Sequence, residues 1–322
     1  MNDAISSGQP WMWVVFIAFI LVMLALDLFV FGGRKAHKLG FKEAAVWSLV
    51  WVTLALTFNG LLWWWLDATV GRAVADTKAL EFLTGYLIEK SLSVDNIFVF
   101  LMIFGYFAVP TEYQRRVLIY GVMGAIVMRA VMIFAGTWLV NQFHWVIYLF
   151  GAFLVVTGIK MLIFADQSPD LGKNPVLRWM RGHLRITDAY HGEKFYVTRN
   201  GVRWFTPLFL VVVLIEATDL IFAVDSIPAV LAITTDPFIV FTSNIFAIMG
   251  LRALYFLLAD VAERFHLLKY GLAMVLVFVG TKMLIVDIYK VPIGIALGIV
   301  AIIIAASIFA SLASTRNNSA SK

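Results

Sequence analysis

Residues 206–233 read TPLFLVVVLIEATDLIFAVDSIPAVLAI. The stretch is apolar along most of its length, and as a helix it is long enough to cross the ~30 Å hydrocarbon core of a bilayer. It nevertheless contains three carboxylates, Glu216, Asp219 and Asp225. A carboxylate in hydrocarbon costs at least about 2.5 kcal/mol, so acids that are kept there indicate a functional site.

The whole chain has the composition of a membrane protein. Of its 322 residues 62% are hydrophobic and only 14% are charged, whereas soluble domains carry roughly 25% charged residues. We therefore predict an all-α, polytopic membrane protein. Apolar runs of about 20 residues predict nine transmembrane helices, near residues 11–31, 44–66, 80–106, 117–139, 143–165, 206–233, 238–258, 266–286 and 291–312.

The basic residues predict the orientation of these helices. With the N-terminus outside, the predicted cytoplasmic segments hold sixteen lysines and arginines and the outer segments hold three, Arg72, Lys78 and Lys290. Cytoplasmic loops accumulate such residues, so the chain is predicted to be N-out and C-in. The net charge of +5 then faces anionic lipid, and we expect no nucleic-acid partner.

A second acidic segment, from Glu89 to Ile97, resembles the segment that begins at Asp219, and the resemblance continues along the chain. Met128-Arg129-Ala130 matches Leu251-Arg252-Ala253, and residues 158–163 match residues 280–285. Each unit spans three helices. Because three is odd, the second unit enters the membrane from the opposite side, which predicts an inverted 3+3 repeat with its site at the repeat interface.

This repeat divides the chain into five parts. Residues 1–79 form the first two helices with a basic loop, and residues 80–165 form the first repeat. A cytoplasmic loop follows at residues 166–205, and the second repeat at residues 206–287. Residues 288–322 form the last helix with a cytoplasmic tail. In the cytoplasmic loop, residues 176–186 are amphipathic and predict a surface helix. Asn200-Gly201 between alternating apolar residues predicts a hairpin.

Helical spacing aligns the polar residues of both acidic segments into stripes. Glu89, Ser93 and Asn96 lie on one helix face, and Asp219 and Ser226 take the same places in the second copy, with Glu216 one turn earlier.

Asp95 and Asp225 each follow the first acid by six residues, so a regular helix directs them elsewhere. Pro228 predicts a helix break that turns Asp225 inward and exposes a backbone oxygen, because proline lacks an N–H and clashes with the preceding turn. The first copy has Phe98 at this position.

The donor types indicate a hard divalent cation. The chain contains no cysteine, and carboxylate, amide and hydroxyl oxygens suit Mg²⁺, Ca²⁺ or Mn²⁺. We predict Asp95 and Asp225 as metal ligands, and Glu89, Glu216 and Asp219 as ligands or proton carriers. Asn96 and Ser226 are predicted to supply neutral oxygen donors.

Arg129 and Arg252 are interpreted as counter-charges that hold the empty site together, since guanidinium cannot coordinate a cation. The alternative for any single acid is a simple ion pair with a nearby base, such as Glu89 with Arg129. Asn244 is interpreted as an interhelical hydrogen-bond partner.

The two acidic segments, Glu89 to Asn96 and Glu216 to Ala229, resemble the signature motifs of the TerC family of integral membrane proteins. The similarity covers nearly all of residues 10–315. The resemblance implies a manganese exporter of the bacterial inner membrane with a fold related to LysE-type transporters.

We therefore expect a divalent cation exporter, with Mn²⁺ as the expected ion, that works by alternating access and carries no prosthetic group. Exchange of the metal for protons is the hypothesis for its coupling. The alternative is a membrane-embedded redox modulator or signalling protein without transport activity of its own. A proton or sodium transporter that uses the same acids is a further alternative. No G-x-S-x-G or H-E-x-x-H motif occurs, and we expect no enzyme activity.

The predicted orientation is tested by fusing reporters after Lys322. Green fluorescent protein, which folds in the cytoplasm, is expected to fluoresce there, and alkaline phosphatase, which needs the periplasm, is expected to be inactive, because a C-terminal tail that follows nine spans lies inside. An active phosphatase fusion with a dark fluorescent fusion would contradict the orientation.

Overall fold

The computed structural model describes residues 7–31, 41–163, 171–259 and 267–320, with the side chains inside them except those of residues 27–31, 41, 95, 173 and 315–320. The helices are α1 (Pro10–Phe31), α2 (Phe41–Thr69), α3 (Arg72–Tyr106), α4 (Thr111–Gln142), α5 (Val146–Ile163), α6 (Pro175–His183), α7 (Pro207–Leu231), α8 (Pro237–Met249), α9 (Leu251–Leu258), α10 (Leu268–Leu284) and α11 (Ile293–Ala320). A short 3-10 helix (Leu171–Lys173) and one hairpin, β1 (Tyr196–Arg199) and β2 (Val202–Phe205), complete the described elements.

The protein is mainly helical, and the helices coincide with the predicted spans. Six helical segments in the described part of the chain are long and apolar enough to cross a membrane: α2, α4, α5, α7, α8 with α9, and α11. α1 contains a shorter apolar stretch, Pro10–Leu26. α3 carries acids and a lysine along its apolar length, and α10 has 17 residues. That α1, α3 and α10 also cross the membrane stays a prediction.

Local signals explain where α8 begins and ends. Asp236 caps its N-terminus by accepting a hydrogen bond from the Phe238 N–H at 3.0 Å, and Pro237 occupies the first turn, where its missing N–H is not needed. The helix ends at Gly250, a poor helix former. A β-carbon there would lie 2.6 Å from the Lys90 ammonium. The seventh predicted span is therefore divided into α8 and α9.

The connection between α5 and α7 has the predicted surface helix and hairpin. Asn174 caps α6 through the Val176 and Leu177 N–H groups. Asn200 and Gly201 have φ angles of 50° and 75°, the left-handed pair that a tight two-residue hairpin turn requires. Both predictions are confirmed. Residues 164–170, at the start of the predicted loop, lie outside the described part.

Tyr190 ties this connection to the end of α3. Its hydroxyl donates a hydrogen bond to the Phe107 carbonyl at 2.7 Å. Burial raises the pKa of Tyr190 to about 12, because the phenolate is disfavoured away from water. The hydroxyl therefore keeps its proton, and the loop keeps this contact, throughout the physiological pH range.

The core is built around α8, whose residues from Phe238 to Met249 are all buried. α8 packs against α3 and α4, while α7 also packs against α3 and α4. An aromatic cluster in which Phe16 and Phe58 both contact Phe238 and Phe246 joins α1 and α2 to α8. The four helices α3, α4, α7 and α8 thus form the centre of the bundle.

α5 and α10 pack along one another at backbone distance. A β-carbon on Gly280 would lie 2.7 Å from the Gly151 carbonyl oxygen, and one on Gly158 would lie 2.8 Å from the Ala273 carbonyl oxygen. Small residues at a helix interface allow such close approach, which is a common basis of helix association in membranes.

Gly280→Ala tests this close packing. We expect a loss of about 1–3 kcal/mol of stability, because the added methyl meets backbone that has no room to move. Thermal unfolding of the detergent-purified protein measures it. Gly298→Ala is the matched control, since no atom lies within 4 Å of a β-carbon there. Equal melting temperatures for Gly280→Ala and the parent would contradict the packing.

Candidate functional site

Arg129 lies at the centre of a buried polar cluster, with 1% of its surface exposed. Its Nε and Nη2 donate to the two carboxylate oxygens of Asp219 at 3.1 and 2.9 Å, a two-pronged pairing. Its Nη1 donates to Glu89 Oε1. One guanidinium on α4 therefore bridges a carboxylate from α3 and a carboxylate from α7. These are the ion pairs expected of a counter-charge.

Two asparagines complete the hydrogen bonding of both carboxylates. Asn244 Nδ2 donates to Glu89 Oε2 at 2.9 Å, and its Oδ1 accepts from Arg129 at 3.3 Å. Asn96 Nδ2 donates to Asp219 Oδ1 at 3.3 Å. These bonds connect α3, α4, α7 and α8, and the prediction that Asn244 is an interhelical partner is confirmed. We name Glu89, Asn96, Arg129, Asp219, Ser226 and Asn244 the central cluster.

Two further atoms bear on what the central cluster can bind. Ser226 Oγ lies 3.5 Å from Arg129 Nη1 and accepts from it. Asn96 Oδ1 is buried and has no hydrogen-bond partner among the described residues. A buried acceptor without a donor is unusual, and it suits a cation. Ser93, in contrast, donates to the Glu89 carbonyl of its own helix at 2.7 Å.

Asp225 is not directed into the central cluster. It accepts a hydrogen bond from Thr157 and faces Lys160, both on α5. Six residues beyond Asp219, a regular helix turns the side chain well away from the face that carries Asp219. The predicted inward turn of Asp225 is therefore wrong in this conformation.

The helix break predicted at Pro228 is also absent, because α7 continues through it to Leu231. Pro228 lies within the last turn of α7, where its own carbonyl accepts from the Ala232 N–H at 2.9 Å. A proline in a transmembrane helix removes one hydrogen bond, and packing against neighbouring helices allows the helix to continue through it. The described chain instead divides at Gly250, between α8 and α9.

Glu216 lies one turn before Asp219, against Gly124 of α4. A β-carbon on Gly124 would be 2.1 Å from Glu216 Oε1, so the carboxyl group packs directly against this glycine. Its Oε2 is buried and has no hydrogen-bond partner in the described part of the chain. Glu216 is thus beside the central cluster, with an acceptor that is available to a proton or a cation.

Two other predicted residues complete the comparison. Arg252 is buried, with 6% of its surface exposed. It lines a narrow cavity that reaches Asp219. The Asp95 side chain lies outside the described residues. The structure thus gathers Glu89, Asn96, Asp219 and Ser226 around Arg129, and it places Asp225 apart.

Sequence reasoning undervalued Asn244 as part of the site. The signal was present, because Asn244 ends a short polar run, Thr242-Ser243-Asn244, within the apolar helix α8. A single amide in a buried helix is also typical of structural pairing. Only the position of Glu89 on the neighbouring helix shows that the two groups meet.

The comparisons with known proteins agree with these motifs. Residues 74–319 match the model of the Integral membrane protein TerC family. The chain is 60% identical over 293 residues to the "Putative membrane-bound redox modulator Alx" of Escherichia coli (strain K12), covering 91% of each chain.

A second relative is less similar in sequence. The chain is 49% identical over 312 residues to the "Uncharacterized membrane protein STKORF319" of Myxococcus xanthus, which covers 97% of this chain and 95% of that protein. No solved structure matches. The family match spans most of the chain, and it includes every residue of the central cluster. The protein belongs to the TerC family of integral membrane proteins.

Proposed function

We propose that the protein exports a divalent cation, with Mn²⁺ as the preferred ion, from the cytoplasm across the bacterial inner membrane by alternating access. The observation that carries this proposal is the meeting of Glu89 and Asp219 around Arg129 inside the helix bundle. Two carboxylates from different helices, with amide and hydroxyl oxygens beside them, are donors for a hard divalent ion. The preference for manganese rests on the family resemblance.

Charge balance explains how Arg129 and the ion alternate. Two ionised carboxylates and one guanidinium have a net charge of −1, whereas the same carboxylates with a divalent ion are neutral. A buried acid without a counter-charge is costly, so Arg129 stabilises the empty site. The ion takes its place between Glu89 and Asp219 when Arg129 withdraws, and it neutralises both carboxylates, whereas Arg129 leaves one negative charge.

The polar neighbours have distinct roles in this mechanism. Asn244 holds Glu89 Oε2 in position, and Asn96 Oδ1 and Ser226 Oγ supply neutral oxygens to the ion. Glu216 and Asp225, which lie outside the cluster, are proton carriers or ligands in another conformation. In this way a proton can leave or enter the site as the cation does.

The contacts between the two repeats support alternating access. α3 of the first unit packs against α8 of the second, α7 of the second packs against α4 of the first, and the third helices α5 and α10 pack together. Exchanging the units therefore preserves the contact pattern, as expected of two units related by a two-fold axis. An inverted repeat of this kind can open on either side of a central site.

The name of the Escherichia coli relative favours a second candidate, a membrane-bound redox modulator. Thiol chemistry cannot be its basis in this protein, since the chain contains no cysteine. We propose that any redox effect follows indirectly from metal supply.

Transport is tested by Mn²⁺ flux into liposomes that contain the purified protein. We expect Asp219→Asn to reduce the flux at least 100-fold, since it removes a ligand charge while preserving shape. Asp287→Asn is the control, because Asp287 is exposed beyond the end of α10. Equal flux for Asp219→Asn and the parent would place the site elsewhere. A parent protein that moves neither Mn²⁺ nor Na⁺ nor protons would favour the redox candidate.

The role of Arg129 is tested by Arg129→Gln. This change leaves two buried acids uncompensated, and we expect a loss of about 3–5 kcal/mol of stability. Added Mn²⁺ is expected to raise the melting temperature of Arg129→Gln more than that of the parent, because the ion replaces the missing charge.

Arg116→Gln is the matched control for this experiment. It breaks a half-exposed ion pair with Glu193, a type that contributes about 0–1 kcal/mol. If Arg129→Gln and Arg116→Gln melt alike, or if Mn²⁺ stabilises Arg129→Gln no more than the parent, Arg129 is not the counter-charge of a cation site.

A further inference from the structure

A second polar cluster lies at the end of the bundle where α3 begins and α7 ends, the predicted outer side. It surrounds a cavity of about 390 Å³, which we name the outer vestibule, lined among others by Lys78, Glu81, Thr234, Asp236 and Lys282. Glu81 precedes Glu89 on α3, and Asp236 precedes Asn244 at α8, each by eight residues. The vestibule is therefore about 12 Å from the central cluster along the same two helices.

Ion pairs close the helices around this vestibule. Lys78 Nζ contacts Glu81 Oε2 at 2.9 Å and Asp236 Oδ2 at 3.3 Å. The Thr234 hydroxyl donates to Glu81 Oε2 at 2.6 Å, and the Ser7 N–H donates to Asp236 Oδ2 at 2.8 Å. Lys78 thereby joins α3 to the α7–α8 turn and, through Asp236, to the chain before α1.

A tightly packed layer separates the vestibule from the central cluster. A β-carbon on Gly85 would lie 3.0 Å from Ser243 Oγ and 3.2 Å from Val230 Cγ1, so α3, α7 and α8 are in close contact there. Ser243 is fully buried. An ion leaving the central cluster toward this end has to pass this layer, and the helices that form it are held together by the Lys78 ion pairs.

The opposite end of the bundle is closed by different chemistry. At the repeat offset of 130 residues, Lys78 corresponds to Leu208 and Glu81 to Val211, and both of these are fully buried. They belong to an apolar cluster with Phe100 and Leu118. A cation cannot loosen an apolar seal by charge, whereas it competes directly for the carboxylates of an ion pair.

We propose that Lys78 is the outer gate of the transport pathway, holding Glu81 and Asp236 together until a cation displaces its ammonium group. The proposal rests on the exporter function proposed above. A divalent ion that approaches both carboxylates attracts them and repels Lys78, so α3 separates from the α7–α8 turn.

Lys282 assists release from the vestibule. Its ammonium donates to the Ala232 carbonyl at 3.2 Å and places a second positive charge at the cavity. Two lysines beside two acids keep cation binding weak at this point. The ion therefore passes on to the outside, as a conducting pathway requires.

The gate is tested by cysteine accessibility in a chain that has no cysteine of its own. Ser243→Cys is introduced alone and with Lys78→Gln, and maleimide labelling is timed on detergent-purified protein. We expect Lys78→Gln to increase the labelling rate of Ser243→Cys at least tenfold. Lys78→Arg is expected to keep the rate near that of Ser243→Cys alone. Lys290→Gln, which removes an exposed lysine at the same end, is expected to have no effect.

A cysteine at the opposite end separates gating from unfolding. Leu118→Cys, at a buried position, is expected to stay protected in Lys78→Gln. Labelling of both cysteines, or of neither, would overturn the gate. The labelling assay measures no ion flux, so it is independent of the transport test. If the liposomes show no Mn²⁺ flux but the cysteines are labelled as expected, the exporter function is refuted and the closure by the Lys78 ion pairs still holds. Normal flux with unchanged labelling refutes the gate alone.

Discussion

The bundle is organised around the pairing of Arg129 with Glu89 and Asp219. None of these charges is tolerable alone in a membrane interior, because an isolated buried charge costs several kcal/mol. Together, and with the amides of Asn96 and Asn244, they satisfy one another's hydrogen-bonding groups. That mutual dependence requires α3, α4, α7 and α8 to meet at one point, and the close packing at Gly85 and Gly124 permits it.

Two closures lie on either side of this cluster, as the proposed alternating-access mechanism requires. Toward one end the helices are joined by apolar side chains around Leu208 and Val211, and toward the other by the ion pairs of Lys78. The central charges are thereby separated from water on both sides. A low local dielectric strengthens their interactions, so the proposed exchange of a guanidinium for a divalent ion would change the energy of the whole bundle.

Much of this fold is predictable because its determinants are local. Apolar run lengths predict the helices, and Asn200-Gly201 predicts the hairpin through the φ angles that it adopts. The polar stripe of Glu89 and Asn96 follows from helical spacing. Which neighbour each face meets depends on packing, so the bond from Asn244 to Glu89 was not foreseen. Pro228 was misjudged because whether a proline divides a transmembrane helix depends on the helices packed around it.

The most direct test of the account is a structure of the protein determined in Mn²⁺, with the ion located by anomalous scattering. Manganese is expected between the Glu89 and Asp219 carboxylates, with the Arg129 guanidinium withdrawn from both. Manganese bound elsewhere while Arg129 still bridges the two acids would contradict it.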